Sequence, residues 1–365
     1  MATLADLSSR SHNHFNLIRL LAAAAVLVSH SFPLAGGEQA DEPLRASLGL
    51  TLGEVAVVTF FCISGFFISM SQDRSHGTLD FCAARALRIF PGLIFVVLSC
   101  AFVIGPIFTE LSARQYFADP QTWRYVLNNI ALVRMQFSLP GVFETNPFPG
   151  INGSLWTLFY EALFYVLVGI AGAFGLFHAN RRFAAFLLAY AVIYVGFRWL
   201  QGESPFAAAL ERVDATFKWS LPFVIGMALY RYRDKVQLRG VYALPLLALA
   251  AMCLKGPGFY EAFVLLWADL TFFVGFSTRT LPFRLGGDYS YGLYVWAFPI
   301  QEMIVYLLPG IGPWRLTLLA MPLAILVAIA SWHWLEKPCM RLRTALVDQF
   351  RGQWQTLFTT PKKPW

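Results

Sequence analysis

Long apolar runs separated by short polar clusters are the feature that most constrains how this chain can fold. The runs are about 17–25 residues long, the length that an α-helix needs to cross the hydrocarbon core of a bilayer. Of the 365 residues, 57% are hydrophobic and only 13% are charged, whereas an ordinary soluble domain has roughly 25% charged residues. The composition excludes a water-soluble globular enzyme and predicts an all-α, polytopic membrane protein.

Ten of these apolar runs are candidate transmembrane helices. They occupy residues 15–34, 50–70, 88–108, 155–177, 183–200, 217–232, 241–255, 259–277, 289–309 and 314–335. Short loops rich in lysine and arginine stay in the cytoplasm. If the N-terminus is cytoplasmic, most of the 28 lysine and arginine residues fall in cytoplasmic segments. This asymmetry predicts that both termini are cytoplasmic, which requires an even number of spans. If the first run were a cleaved signal peptide, nine spans would remain and the basic loops would fall on inconsistent sides.

Charge and cysteine content predict neither a nucleic-acid partner nor a metal site. The formal net charge of +7 is accounted for by the basic flanks of the spans, so no nucleic-acid partner is expected. The five cysteines contain no C-x-x-C pair, so no metal site is expected. Membrane lipid is the partner that the composition implies.

Arg19 and His30 lie eleven residues apart in the first predicted span. Eleven residues make about three helical turns, so both side chains share one helix face, about 16 Å apart along the axis. Arg19 is then at the cytoplasmic end and His30 near the outer end. Histidine is the most frequent general base in enzymes, and the alternative interpretation is a histidine that only packs within the bundle.

Arg85 and Arg88 stand three residues apart where the third span begins. At this spacing both guanidinium groups lie on one face of a helix. Two planar cationic groups side by side suit a phosphate or pyrophosphate. The alternative is that they only supply the positive charge usual at cytoplasmic helix ends. Arg19, expected at the same membrane depth, favours the phosphate site.

Glu161 lies about six residues, or roughly 9 Å, inside the fourth span. His30 is at a similar distance from the outer end of its own span, so the carboxylate and the imidazole are expected to meet in one cavity. The alternative is that Glu161 only fixes helix packing. The polar and aromatic residues expected at comparable depth are candidate contacts of an acceptor substrate: Asn152, Ser154, Trp156, Tyr160, Gln301 and Glu302.

Together these residues predict a tunnel with a cationic mouth on the cytoplasmic side and an acid/base pair deeper in the membrane. An acyl-coenzyme A fits this arrangement, because its phosphates would bind at the mouth while its pantetheine arm carries the thioester inward. Two other classes remain open. One is a transporter or flippase for an anionic or glycan substrate, although no internal repeat is evident. The other is a structural membrane subunit.

Six sequence elements in this order resemble the acyltransferase-3 family, whose members are bacterial membrane enzymes that O-acylate surface sugars and other molecules. The elements are FNLIRLLAAAAVLVSHS with its R-x10-H spacing, TFFCISGFFIS, FCAARALRIFPGL with its R-x-x-R motif, GSLWTLFYEALFY, SYGLYVWAFPIQ and WLEKP. The resemblance implies that Arg19, Arg85 and Arg88 bind the acyl-CoA donor, that His30 is the catalytic histidine, and that Glu161 is a second essential group. One departure is Ala297, where many family members have a histidine.

The six elements run from Leu17 to Pro338. We therefore expect one transmembrane acyltransferase domain at residues 1–338, followed by a short basic cytoplasmic tail at residues 339–365. The resemblance implies an enzyme of the bacterial inner membrane that transfers an acetyl group from acetyl-CoA, with no metal. The implied acceptor is a hydroxyl of a surface polysaccharide or of its lipid-linked oligosaccharide precursor. Whether the protein forms a homodimer is left open.

Overall fold

The fold is that of a computed structural model, which describes residues 3–9, 13–37, 39–75, 77–177, 179–201, 207–277 and 285–349. Within these ranges the regular structure is helical, as predicted, and the extended backbone pairs only at one isolated bridge between Thr109 and Val142. The α-helices are α1 (Leu4–Ser8), α2 (Phe15–Gly36), α3 (Arg45–Leu48), α4 (Leu52–Arg74), α5 (Thr78–Ser99), α6 (Gly105–Phe108), α7 (Ala113–Ala118), α8 (Pro120–Ile130), α9 (Trp156–Ala173), α10 (Asn180–Gln201), α11 (Ala207–Arg231), α12 (Ala243–Met252), α13 (Phe259–Gly275), α14 (Ser290–Leu307), α15 (Pro313–Ser331) and α16 (Lys337–Arg341).

Each of the ten predicted spans falls on one of these helices. By length and composition, six helical stretches of the described chain can cross a membrane: Phe15–Gly36, Leu52–Arg74, Thr78–Phe108, Gly153–Ala173, Asn180–Leu200 and Pro313–Gln349. The other four predicted spans coincide with α11 to α14, which are shorter or less apolar. The count of ten and the cytoplasmic position of both termini stay predictions.

The span predicted at 241–255 differs most from the structure. Helix α12 has only 10 residues, too few to cross the hydrocarbon core, since a span needs about 20. Gly256, Pro257 and Gly258 follow it, and Gly258 has a φ of +81°. This left-handed conformation is one that glycine adopts without steric cost, and the turn starts α13.

Two of the long helices contain a π-helical turn. Residues Cys100–Ile104 connect α5 to α6, and residues Trp332–Glu336 connect α15 to α16. Turns of this kind inside α-helices occur frequently at functional sites. The second one carries Glu336, whose side chain is buried and accepts a hydrogen bond from Ser331 at 2.8 Å.

Helices α2, α4, α14 and α15 form the centre of the bundle, and α11 packs closely on α4. Glycines allow that close approach. A Cβ atom on Gly65 of α4 would lie 1.9 Å from the carbonyl oxygen of Phe223, and one on Gly226 of α11 would lie 2.2 Å from that of Cys62. Small residues that let helix backbones touch are typical of helix pairs in membranes.

The segment between α6 and α9 contains two short helices, α7 and α8. Helix α8 buries Tyr125 and Asn129 and exposes Trp123 and Leu127, so it is amphipathic. Further along, Asn146 donates a hydrogen bond to Glu302 of α14 at 2.5 Å. The segment is therefore fixed to α14 through Asn146.

Candidate active site

An inner cavity of about 120 Å³ lies between α2, α4, α5, α9 and α14. Its apolar lining comes mainly from α4. Its polar and ionisable lining residues are Arg19, Ser64, Arg85, Arg88, Thr157, Glu161, Tyr165, Ser290, Tyr291 and Tyr294. The three arginines predicted to lie at one depth thus face one cavity, although they come from two helices that are far apart in the sequence.

Two of these arginines share one carboxylate. Nη2 of Arg88 lies 2.7 Å from Oδ2 of Asp288, and Nη1 of Arg19 lies 3.3 Å from the same oxygen. Nη1 of Arg88 also lies 3.5 Å from Oε2 of Glu336 in the π-helical turn. The acidic partners fix the two guanidinium groups beside the cavity and offset part of their charge.

Asp288, which the sequence analysis did not select, is the centre of this ion cluster. It is buried directly before α14, and its Oδ1 accepts hydrogen bonds from the hydroxyl and the backbone N–H of Ser290 at 2.5 and 3.3 Å. Burial alone would raise the pKa of the Asp288 carboxyl, but the guanidinium groups of Arg88 and Arg19 and the Ser290 bonds hold that pKa below its ordinary value. An acidic residue at the start of an apolar run was the signal available in the sequence.

Arg85 is the least engaged of the three arginines. Its Nε is buried without a hydrogen-bond partner among the described residues. Its guanidinium carbon lies 5.8 Å from the centre of the Tyr165 ring, a distance at which cations are attracted to an aromatic face. A buried donor without a partner carries a cost, which an anion entering the cavity would remove.

Glu161 lies in the inner cavity, among the arginines. Its carboxylate accepts a hydrogen bond from the Tyr165 hydroxyl, which in turn lies 3.4 Å from the Ser64 hydroxyl. The structure does not bring Glu161 and His30 to one cavity, since His30 lines the neighbouring cavity and not this one. The prediction measured depth from the start of α9 as though that start lay at the membrane surface. Residues 151, 152, 154 and 155, which lead into α9, are 0% exposed, so α9 begins inside the protein and not at its surface.

His30 lies in an outer cavity of about 460 Å³. Its Nδ1 is buried and has no hydrogen-bond partner among the described residues, and its ring meets the Phe298 ring edge to face at 5.5 Å. The other polar or aromatic lining residues are Ser29, Glu42, Arg45, Thr51, Glu54, Trp156 and Tyr294. The His30 ring therefore borders the outer cavity, and one of its nitrogens is engaged by no described residue.

Val57 of α4 and Tyr294 of α14 line both cavities. The Tyr294 hydroxyl is fixed by a 2.6 Å hydrogen bond with the hydroxyl of Thr157. The inner and outer cavities are therefore neighbours, and these two side chains form the boundary between them. The R-x10-H spacing along α2 therefore places Arg19 at the inner cavity and His30 at the outer cavity.

Of the six predicted acceptor contacts, Trp156 lines the outer cavity and the other five line neither cavity. Asn152 donates to the Val295 carbonyl at 2.9 Å, and Ser154 is fully buried. Tyr160 packs against Trp156 with ring centres 5.8 Å apart.

The two α14 candidates connect parts of the bundle. Gln301 donates to the Leu27 carbonyl at 2.8 Å and to Ser31 at 2.7 Å, which fixes α14 to α2 next to His30. Glu302 accepts the hydrogen bond from Asn146. Their contacts are those of residues that position the helices around the cavities. Among the described residues, no group of three His, Cys, Asp or Glu side chains is arranged to hold a metal ion.

Comparison with known proteins agrees with the resemblance seen in the sequence. A family model described as an acyltransferase domain matches residues 12–333. Over 348 residues the chain is 31% identical to the "O-acetyl transferase" of Shigella phage Sf6, an alignment that covers 89% of this chain and 95% of that protein. Over 365 residues it is 26% identical to "Nodulation protein 10" of Rhizobium leguminosarum bv. viciae, an alignment that covers 93% of this chain and 96% of that protein. No solved structure matches the chain. Since the family model matches most of its length, the chain belongs to the acyltransferase-3 family.

Proposed function

We propose that this membrane acyltransferase moves an acetyl group from cytoplasmic acetyl-CoA to a sugar hydroxyl that enters from the outer face of the bacterial inner membrane. The acceptor is a surface polysaccharide or its lipid-linked oligosaccharide precursor. The observation that carries the proposal is the pair of adjacent cavities, with three arginines lining one and His30 lining the other. The relative of Shigella phage Sf6, named as an O-acetyl transferase, supports acetyl as the transferred group.

The donor end of this path is the inner cavity. Arg19 and Arg88 are already oriented by Asp288, and Arg85 has a buried donor to offer. Guanidinium groups bind phosphate oxygens through two parallel hydrogen bonds, so the three arginines suit the phosphates of coenzyme A. The pantetheine arm then runs past Val57 and Tyr294 and brings the thioester carbonyl to His30.

The chemical step is nucleophilic substitution at the thioester carbonyl. His30 takes the proton of the acceptor hydroxyl while the hydroxyl oxygen attacks the carbonyl carbon and forms a tetrahedral intermediate. The intermediate collapses with cleavage of the carbon–sulfur bond, and the thiolate of coenzyme A leaves. The imidazolium then returns its proton to the thiolate, so that ester and free thiol are the products and His30 is restored.

Glu161 acts at the donor end in this proposal. Its carboxylate bonds the hydroxyl of Tyr165, whose ring also contacts Arg85, and it lines the same cavity as the three arginines. We expect it to orient Tyr165 and Arg85 around the donor. This role differs from the shared cavity with His30 that helix counting suggested.

The test is to incubate the detergent-purified full chain with acetyl-CoA and candidate oligosaccharides, and to measure free thiol together with acetylated product by mass spectrometry. Thiol and acetyl ester should appear in equal amounts. The transporter alternative predicts uptake of substrate into vesicles with no thiol release. That result would overturn the proposed function.

A further inference from the structure

The outer cavity is lined by polar side chains besides His30, more than removal of a proton alone requires. Oε2 of Glu42 accepts a 2.5 Å hydrogen bond from Ser29, the residue before His30, and Oε1 accepts one from Arg45 at 2.7 Å. Each carboxylate oxygen can accept a second hydrogen bond. Glu42 is therefore fixed beside the histidine and still has capacity for hydroxyl donors.

A second carboxylate faces the same space. Glu54 receives a 2.8 Å hydrogen bond from the backbone of Thr51 and an ion pair from Lys218 at 2.6 Å. Each of the two carboxylates thus already has a cationic partner. Among the residues of the outer cavity that the structure describes, the cation is Arg45, which forms an ion pair with Glu42.

Trp156 supplies a flat apolar surface on the same cavity. Its ring packs against Trp219, with centres 5.3 Å apart, and against Tyr160. These neighbours hold the indole in one orientation. A flat ring next to carboxylate acceptors suits a molecule with one apolar face and several hydroxyl groups at its edge, which is the chemistry of a pyranose.

From this arrangement we infer that the outer cavity is the acceptor subsite and selects an uncharged sugar ring. The ring lies on Trp156, and Glu42 accepts hydrogen bonds from hydroxyl groups next to the one that His30 deprotonates. The volume of about 460 Å³ is within the range of about 300–1,000 Å³ of small-molecule sites. This inference rests on the proposed function, since it assigns the acceptor class to the same site.

The charged groups of the outer cavity distinguish neutral sugars from acidic ones. Because Arg45 and Lys218 already pair with Glu42 and Glu54, a sugar carboxylate, as in a uronic acid, would lose hydration in this cavity without gaining an unpaired cation among the lining residues that the structure describes. Specificity of this kind arises from an unfavourable contact with the wrong ligand as much as from attraction to the right one. A neutral hexose or deoxyhexose has no such desolvation cost.

Binding without turnover is the direct test. Saturation-transfer NMR with the purified full chain is to be recorded with the methyl glycosides of glucose, galactose, mannose and rhamnose, and with methyl glucuronide as the charged counterpart. Neutral glycosides should receive saturation and methyl glucuronide should not. Transfer to the glucuronide as strong as that to the glucoside, or no transfer to any neutral glycoside, would overturn the inference.

Two variants test whether the glycosides bind in the outer cavity. Glu42→Gln keeps the shape of the side chain, and Trp156→Ala removes the flat surface, so each should weaken glycoside binding about tenfold or more. The matched controls are Glu110→Gln and Trp123→Ala, which change exposed residues of the segment between α6 and α9 and should leave glycoside binding as in the wild type. If Trp156→Ala fails to fold, Glu42→Gln decides alone, and undiminished binding in it contradicts the assignment.

The outcome is separable from that of the proposed function. If glycoside binding depends on Glu42 but acetyl-CoA releases no thiol, the subsite stands and acyl transfer fails. If thiol and acetyl ester are produced while Glu42→Gln leaves the acceptor KM unchanged, acyl transfer stands and the subsite assignment fails.

Discussion

Arg88 of α5 and Asp288 at the start of α14 form a 2.7 Å ion pair at the inner cavity, 200 residues apart in the sequence. The same Asp288 oxygen also contacts Arg19 of α2. One carboxylate thus connects three helices that line the inner cavity. Loss of this carboxylate should affect both stability and donor binding.

Asp288→Asn should lower the thermal unfolding midpoint of the protein in detergent. The substitution leaves two half-buried guanidinium groups without their shared charged partner, and hydrogen bonds to charged groups contribute about 1.5–3 kcal/mol each. Asp234→Asn changes an exposed turn residue and serves as the control. An Asp288→Asn protein as stable as the control would contradict a central role of Asp288 in the cluster.

Acid should remove the contribution of Asp288 in a defined direction. Its folded-state pKa is held below the ordinary value by Arg88 and Arg19 despite burial. The contribution is therefore complete above the ordinary pKa of about 3.9 and is lost as the pH falls through the lower, folded-state pKa. The difference in unfolding midpoint between wild type and Asp288→Asn should shrink on acidification. A difference that grows toward low pH would contradict this sign.

Arg85→Ala should weaken binding of acetyl-CoA more than binding of a short acetyl-pantetheine thioester without the nucleotide. A lost charge-assisted hydrogen bond to phosphate is expected to cost about tenfold or more in affinity. Isothermal titration of the two donors measures the difference, with Arg124→Ala on the exposed face of α8 as the control. Equal weakening of both donors would indicate that Arg85 only orients its helix.

Val57→Phe should block transfer by filling the boundary between the two cavities. Val57 lines both of them, so the larger ring narrows the path of the pantetheine arm while the arginines stay in place. Acetyl-CoA should still bind, and acetyl ester formation should fall about a hundredfold, since small displacements of reacting groups have effects of this size. Val57→Ala widens the same point and should keep transfer. Unchanged transfer in Val57→Phe would argue against a donor path at this boundary.

Sequence patterns predicted the helices and the meeting of the arginines well. Hydrophobic run length placed all ten candidate spans on helices, and the spacing of Arg85 and Arg88 put both on the cavity that Arg19 also lines. These are local properties of a helix. The pairing with Asp288 depends on how α14 packs against α2 and α5, which spacing along the chain does not contain.

Depth within the bundle was the quantity that the sequence predicted least well. Glu161 lies among the arginines because α9 begins at a buried turn, and Gln301 reaches α2 backbone instead of a cavity. Glu42 and Glu54 were not selected because a short loop and a helix start give no periodic signal. Their relation to His30 depends on the loop between α2 and α4 folding back over the outer end of α2.

The most direct test of the central claim is the acetyl-CoA turnover of purified His30→Ala. The protein should fold and bind acetyl-CoA as the wild type does, because the arginines line the other cavity, while release of thiol and formation of acetyl ester should fall by about 10²–10⁴-fold, the range contributed by a general base. Transfer retained at the wild-type rate in folded His30→Ala would contradict the account.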